Sequence, residues 1–322
     1  MSEQTDLFPN STDDAFSFLA PLQIAQVYVF VFATFPACLV LLIVIFPFYV
    51  YVNKMNRERD KETLVFPFTN HFYKMVKKTY SFIFFFFAAL FVLYLIGFLY
   101  GVFLLYLAIL ILFLLNIMTQ VFHLLISVLA TLKFILYFFP TTEKWVLPAQ
   151  RTIHKRIRWV YILYGLKESA TVYSLFGCIS GKCTADEIWN IEANYTISFY
   201  VANCILLFCS LLYLPIMISI RNFSNLPMVQ QNQPQKYIYW QTMITVMFKS
   251  VSLPTAFAFF AEHDMVFIFF LVVTDIVMTP LIIQVSYLSC NKRNVDTTLS
   301  VFCCCCSKGG SSVEPDSNFA SV

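Results

Sequence analysis

The chain is poor in charged residues and in glycine. Only 12% of its 322 residues are Asp, Glu, Lys or Arg, and only seven are Gly. An average soluble domain is about 25% charged, so this chain could not cover a water-facing surface with polar groups. It is instead 59% hydrophobic, with 37 Phe. Helices in lipid satisfy their own backbone polar groups, so this composition predicts an all-α integral membrane protein.

Recognisable enzyme constellations are also missing. The sequence has no Gly-rich phosphate loop and no nucleophile beside a base, and its ten cysteines show no metal-ligand spacing joined to histidines. A net charge of +3 does not by itself imply a nucleic-acid partner. We therefore expect no enzyme activity, no cofactor, no metal and no bound nucleic acid. The four histidines lie in different segments: His71, His123, His154 and His263.

The first 22 residues contain no Lys or Arg. A cleavable signal peptide needs a basic start and then an apolar run, so none is predicted. We expect the first apolar helix to act as its own insertion signal. An acidic flank before this helix and a basic flank behind it favour an external N-terminus.

The long apolar block at 79–139 decides the number of spans. As one helix it would measure roughly 90 Å, too long for a single crossing. Basic segments flank it on both sides, and basic loops lie in the cytoplasm, so the number of crossings is even. Two spans result, with a turn near Gly97 to Gly101, where glycine weakens the helix. The seven predicted spans are about 23–52, 79–98, 102–137, 159–178, 197–220, 239–261 and 265–289.

Charge also predicts the orientation of these spans. Nearly every Lys or Arg outside a span falls in a segment assigned to the inside, with Lys182 the exception. An inverted or eight-span arrangement would break this agreement. The sequence thus predicts a seven-transmembrane helix bundle, with an extracellular N-terminus at 1–22 and a cytoplasmic tail at 290–322.

Four segments carry a resemblance to a known family. They read FPFYVYVNKMNRERDKETLVFPFTNHFYKM from Phe46, YFFPTTEK from Tyr137, LPTAFAFF from Leu253 and TPLIIQVSYLSCNKRN from Thr279. In these segments the chain resembles the nematode serpentine chemoreceptors, most closely class Z. The resemblance implies a chemosensory G-protein-coupled receptor on the plasma membrane of sensory neurons. Its partners would be a small external ligand, bound within the bundle, and a cytoplasmic heterotrimeric G protein.

Span three carries a polar stripe. Asn116, Gln120, His123 and Ser127 are spaced by four, three and four residues, which places them on one helical face. In lipid such a face must turn towards other helices. Two interpretations remain open: hydrogen bonding between helices, or a ligand cavity lined by Asn116, Gln120 and His123. We expect such a cavity between spans three, five, six and seven.

Ionisable residues occur near mid-depth in three spans. Lys249 lies ten residues from the inner start of span six, and Asp275 ten from the outer start of span seven. Both would sit roughly 15 Å deep, and a tight turn makes the two spans neighbours. We therefore predict a buried Lys249–Asp275 ion pair, which either fixes packing or changes on activation. Lys167 and Glu168 lie at mid-depth in span four, without a predicted partner.

Two prolines lie inside predicted spans, Pro254 in span six and Pro280 in span seven. A proline inside a helix removes one backbone hydrogen bond and bends the axis. The bend is either a static kink or a hinge for the inner half of span six.

A group of cytoplasmic residues forms a predicted docking face for the G protein. Attraction of basic groups to anionic lipid, about 1 kcal/mol per residue, is the alternative role. The residues are Lys133, Tyr137, Arg151, Lys155, Arg156 and Arg158.

Several residues are candidates for covalent modification. Asn10 and Asn194 begin glycosylation sequons on segments predicted to be external. Cys178 and Cys183 share one external loop and either form a disulfide or remain free thiols. Cysteines close behind the last span are candidates for palmitoylation. These are Cys303, Cys304, Cys305 and Cys306.

The alternative to a receptor is a multi-span ligand-gated channel or transporter. The sequence shows no internal repeat of the kind that transporters use. A chemosensory channel of the insect type also has seven spans but places its N-terminus inside, so topology separates the two functions.

Overall fold

The computed structural model describes residues 35–61, 66–96, 101–178, 180, 183–222, 235–260 and 265–290, and the secondary structure within these ranges is helical. The predicted external lead with Asn10, the tight turn at 262–264, Lys182 and the cysteine run Cys303–Cys306 lie outside the described residues.

Eight α-helices follow one another along the described ranges. A short 3-10 turn at Pro140–Thr142 joins the third to the fourth, and Leu212 alone separates the fifth from the sixth, which together cover the predicted span five. The helices are α1 (Phe35–Asp60), α2 (Phe66–Ile96), α3 (Gly101–Phe138), α4 (Glu143–Gly177), α5 (Ala185–Leu211), α6 (Tyr213–Asn222), α7 (Gln235–Phe260) and α8 (Met265–Ser289).

Within the described residues, five stretches are long and apolar enough to cross a membrane. The two predicted spans outside this set, α4 and α7, carry polar groups buried in the bundle, including Glu168, Gln241 and Lys249. Such helices can cross a bilayer where their polar side chains face other helices. The five stretches are Pro36–Glu58, Phe66–Val92, Tyr106–Phe138, Asp186–Ile216 and Phe269–Ser289.

Several helices extend beyond the predicted spans. α2 begins at Phe66 rather than Thr79, and α4 begins at Glu143 rather than Trp159. The added turns are rich in Lys, Arg and Gln, which are good helix formers, so segments read as polar loops are helical. α3 and α8 end within a residue of their predicted bounds.

A capping box fixes the start of α5. The Thr184 hydroxyl accepts a hydrogen bond from the Glu187 backbone at 3.3 Å, and the Glu187 carboxylate accepts one from the Thr184 backbone at 2.9 Å. The two contacts satisfy two backbone donors that a helix start leaves open. The helix therefore begins at Ala185, well before the predicted Ile197.

Two helices form the centre of the bundle. α3 packs against α2, α4, α5, α6, α7 and α8, and α8 packs against α1, α2, α3 and α7. Their shared core contains fully buried large side chains such as Tyr49, Phe72, Phe122 and Ile283. This placement explains why α3 can carry a polar face, since that face meets neighbouring helices instead of acyl chains.

The C-termini of α1, α3, α6 and α8 lie at one end of the bundle, called here the inner end. Tyr287 of α8 stacks edge-on against Tyr49 of α1 and Tyr237 of α7, with ring centroids 5.5 and 5.6 Å apart. The Tyr287 hydroxyl also donates to the Asp60 carboxylate at 2.9 Å. These contacts tie three helices together at the inner end.

Candidate functional site

A cavity of about 340 Å³ lies between α3, α4, α5 and α8, and is called here the inner cavity. Pockets that hold small molecules measure roughly 300–1,000 Å³, so its size suits a small ligand. Its lining includes Asn116, Thr119, Gln120, His123 and Ser127 of α3, Tyr164 and Lys167 of α4, Tyr195, Phe199 and Asn203 of α5, and Asp275 of α8.

A second cavity, of about 280 Å³, lies towards the outer end and is called here the outer cavity. It shares Asn116, Tyr195 and Val272 with the inner cavity, so these side chains stand between the two. Glu168 of α4 also lines it, and the rest of its wall is largely apolar, with Leu112 and Phe113 of α3 among the lining residues. The two cavities therefore offer a polar and an apolar compartment along the same helices.

Glu168 of α4 lines the outer cavity, next to the shared Asn116, and is the polar centre of that wall. Its carboxylate accepts hydrogen bonds from the Asn116 amide at 3.2 Å and from the Gln120 amide at 2.7 Å. The Lys167 ammonium lies 3.4 Å from the same carboxylate. Asn116 and Gln120 are one helical turn apart, so both amides reach one acceptor. Glu168 is almost fully buried, and these three donors compensate its charge.

Lys249 and Asp275 form a second ion pair, directly behind the cavity wall. The Lys249 ammonium donates to the Asp275 carboxylate, with the side chains 2% and 9% exposed. The rings of Phe199 and Phe248 lie 5.8 and 5.7 Å from the ammonium. The structure thus brings together the two residues that the sequence paired. Asp275 lines the inner cavity, while its partner belongs to α7.

Two hydrogen-bond acceptors of the inner cavity have no partner within the described part of the chain. They are Gln120 Oε1 and Asn203 Oδ1, both buried. The Asn203 amide nitrogen, by contrast, donates to the Phe199 carbonyl at 2.8 Å. Buried polar atoms in folded proteins almost always have a partner, so a donor group of a bound molecule or water would complete these acceptors.

The predicted pocket residues share the inner cavity, but the helices around it differ from expectation. Asn116, Gln120 and His123 all line it, as does Ser127, whose hydroxyl donates to the His123 carbonyl at 2.9 Å. The expected fourth wall was span six. Among the described residues, α4 supplies that wall and α7 supplies none. The buried Glu168 draws α4 against α3, and the Lys249–Asp275 pair places Asp275, not Lys249, on the cavity surface.

The residues of the predicted docking face lie at the inner end, where a short turn joins α3 to α4. Tyr137, Lys155, Arg156 and Arg158 are exposed there, whereas Lys133 is half-buried. Arg151 belongs to α4, and its side chain is outside the described set.

Prolines interrupt four of the described helices. Pro254 lies inside α7 and the buried Pro280 inside α8. Pro47 in α1 and Pro148 in α4 also lie within helices, and neither was predicted from the sequence. A proline within an apolar run marks such positions directly.

Of the described modification candidates, the cysteines are bridged and the sequon is helical. Cys178 and Cys183 form a disulfide with a Cα–Cα distance of 4.6 Å. Asn194 is exposed but lies inside α5, and Thr196 of the same sequon is buried. This sequon is therefore not presented on a loop as expected, because the capping box starts α5 upstream of it.

The contacts of Glu168 are the main feature that sequence reasoning missed. The sequence placed Glu168 at mid-depth and the amides of Asn116 and Gln120 on one face of α3, but did not join them. A buried carboxylate needs hydrogen-bond donors, and two side-chain amides four residues apart on the preceding helix can supply them. That match of donors to acceptor is the signal that could have predicted the contact.

Comparison with known proteins identifies the family. Residues 32–292 match the family model described as serpentine type 7TM GPCR chemoreceptor Srz. Neither a curated protein nor a solved structure matches the chain. The family match covers most of the 322 residues and confirms the resemblance drawn from the sequence. The chain belongs to the Srz family of serpentine seven-transmembrane chemoreceptors, and is a multi-pass, all-helical membrane protein of the G-protein-coupled receptor type.

Proposed function

We propose that this chemoreceptor sits in the plasma membrane of sensory neurons, binds a small external molecule in the inner cavity and signals to a heterotrimeric G protein. One observation carries the proposal. The cavity lies at mid-depth in the bundle, and its wall holds acceptors without partners, Gln120 Oε1 and Asn203 Oδ1. A ligand that donates a hydrogen bond would satisfy either acceptor while filling the space between four helices.

Contacts at the cavity wall provide a route from ligand to α7. Asp275 faces the cavity and holds Lys249 of α7 by an ion pair. A ligand that shifts Asp275 would change the position of α7, whose inner end packs through Tyr237 against Tyr287. Pro254 would serve as the hinge. The ligand favours the signalling state only by the difference between its affinities for the two states.

Orientation follows from charge. The exposed basic residues Lys155, Arg156 and Arg158 lie at the inner end, which we assign to the cytoplasm by the positive-inside rule. The acidic lead at 1–22 would then be external. Tags at the two termini, stained with and without permeabilisation, test this assignment. A C-terminal tag that stains intact cells would reverse the topology and favour the channel alternative.

The binding step is tested with the full-length receptor and a G protein in one membrane preparation. Nucleotide exchange on the G protein is measured while ligand mixtures are added. In the Asn203→Leu variant, loss of one hydrogen bond to the ligand should raise the half-maximal ligand concentration about tenfold, or ~1.4 kcal/mol.

The matched control is Cys204→Leu, because Cys204 is exposed on the same helix and does not line either cavity. Surface staining shows whether each variant folds. Equal responses from both variants would place the ligand outside the inner cavity.

A further inference from the structure

The inner cavity opens sideways, between α4 and α5. Leu124 belongs to α3, the helix that packs against six others, yet it is 36% exposed. Val201 and Ile205 of α5 are 51% and 54% exposed, and the Lys167 side chain is 41% exposed. All four residues also line the inner cavity. A gap between α4 and α5 is the arrangement that exposes a central helix and the cavity wall together.

The depth of this gap in the membrane places the opening beside the acyl chains of the lipids. Counted at about 1.5 Å per residue, Lys167 lies roughly 12 Å from Trp159 at the inner start of the predicted span and roughly 16 Å from Cys178 at its outer end. Val201 is midway along the stretch Asp186–Ile216. The hydrocarbon core is about 30 Å thick, so the lateral opening lies near its middle.

Lys167 makes this opening chemically specific. An ammonium at the bilayer centre is costly, and the interface is too distant for its side chain to reach. Its carboxylate contact, Glu168, is 3.4 Å away and is shared with the amides of Asn116 and Gln120. An ammonium carries three donors, so Lys167 still offers hydrogen bonds at the mouth of the cavity.

The charges around the cavity select against an ionic ligand. The charged lining residues of the inner cavity are Lys167 and Asp275, and each has its counter-charge behind the wall, in Glu168 and Lys249 respectively, so these four charges sum to zero. A carboxylate or an ammonium headgroup would add one uncompensated charge in a medium of low dielectric constant. A neutral headgroup adds none, and it can use both the donors of Lys167 and the acceptors Gln120 Oε1 and Asn203 Oδ1.

We infer that the inner cavity takes, directly from the bilayer, a single-chain amphiphile whose neutral headgroup both donates and accepts hydrogen bonds. The headgroup accepts from Lys167 and donates to Gln120 or Asn203, while the alkyl chain lies along Val201 and Ile205. A primary fatty amide or a long-chain alcohol has this chemistry. This inference rests on the proposed function, since it takes the inner cavity as the ligand site.

The test uses the full chain in lipid nanodiscs, without a G protein. The probe is a photoreactive C16 primary amide, and cross-linked peptides are mapped by mass spectrometry. We expect saturable labelling of α4 and α5 at the lateral opening, reduced by excess unlabelled amide. The N,N-dimethyl amide, which cannot donate, should compete about tenfold more weakly, and so should the C16 sulfonate and the C16 trimethylammonium salt.

Variants locate the site. Val201→Trp should abolish the saturable labelling by filling the opening, whereas Ile197→Trp should not, because Ile197 is equally exposed one turn away and does not line the cavity. Lys167→Met should weaken binding about tenfold, and Lys167→Arg should retain it. A thermal unfolding scan of each variant separates lost binding from lost folding. Equal labelling in Val201→Trp and Ile197→Trp, or equal competition by amide and sulfonate, would overturn the inference.

The route is tested by dilution. With the mole fraction of probe in the bilayer held constant, occupancy should stay constant as the total lipid is diluted. Occupancy that follows the aqueous concentration instead would show entry from water and overturn the route. The two proposals fail separately. Amide binding without nucleotide exchange removes the receptor function alone, and exchange driven by a ligand that amide never displaces removes this inference alone.

Discussion

Two ion pairs at mid-depth in the described bundle differ in how far they are exposed. Lys249 and Asp275 are enclosed, with side chains 2% and 9% exposed. Lys167 and Glu168 lie at a similar depth and Lys167 borders the same inner cavity as Asp275, but the Lys167 side chain is 41% exposed, at the opening of the cavity. The enclosed pair has each charge compensated by the other, and the open pair keeps donors for a third group. Equal depth in the membrane therefore does not give equal roles, because packing decides which charge a ligand can reach.

The largest expected effect is the loss of one member of the enclosed pair. Asp275→Asn leaves the Lys249 ammonium buried without a counter-charge, so we expect the free energy of unfolding to fall by about 3–5 kcal/mol. Denaturant titration of the purified chain in detergent would measure this. The double variant Lys249→Met with Asp275→Leu should recover most of the loss. If the double variant is as unstable as the single one, the loss does not come from leaving one buried charge without its partner.

A smaller effect is expected for Glu168→Gln. The substitution keeps an acceptor for Asn116 but removes the charge that strengthens three contacts, which should lower the free energy of unfolding by about 1–3 kcal/mol. The same titration would detect it. If Glu168→Gln lowered the free energy of unfolding as much as Asp275→Asn, the open pair would contribute as much to stability as the enclosed pair, and the distinction between them would fail.

Gln120→Met should have an effect of about 1 kcal/mol. It removes one hydrogen bond to a charged acceptor, but it also removes the unpartnered Gln120 Oε1, so the two terms partly offset each other. Leu124→Met on the same helix is the control for volume. A neutral result for Gln120→Met with a clear loss for Leu124→Met would show that packing, not the Glu168 contact, joins α3 to α4 here.

The smallest effect on stability is expected for Lys167→Met, at under about 1 kcal/mol, because the amides of Asn116 and Gln120 still donate to the Glu168 carboxylate after the ammonium is removed. The comparison is direct, because Lys249→Met changes the same residue type at a similar depth and should cost several times more. Thermal midpoints of the two variants in one detergent would decide it. Similar losses in both would contradict the distinction between an enclosed and an open pair.

Much of this arrangement follows from local features of the sequence. The Lys249–Asp275 contact could be predicted because only three residues separate the two predicted spans, which fixes their relative depth. The limits of α3 and α8 could be predicted because their apolar runs coincide with the helices. The depth of a residue in the membrane and the length of the segment between two spans can both be obtained from the sequence, without knowing which face of a helix contacts which neighbour.

The open pair required information that the sequence does not hold locally. Its depth was evident, but the rotation of α4 that places Glu168 against Asn116 and Gln120 depends on packing across α3, α4 and α5. The same packing makes α4 rather than span six the fourth wall of the inner cavity. Helix starts were missed for another reason, since charged helix formers extend α2 and α4 beyond their apolar runs.

The Cys178–Cys183 disulfide joins the end of α4 to the loop just before α5. The disulfide therefore holds the outer ends of the two helices close together. Val201 lies roughly 27 Å along the chain direction from Cys183, counted at about 1.5 Å per residue. A rotation of about 5° around the pinned end would shift Val201 by about 2 Å, with the displacement growing towards the inner end. Such a rotation would therefore widen the gap between these helices little at the outer end and most at the inner end.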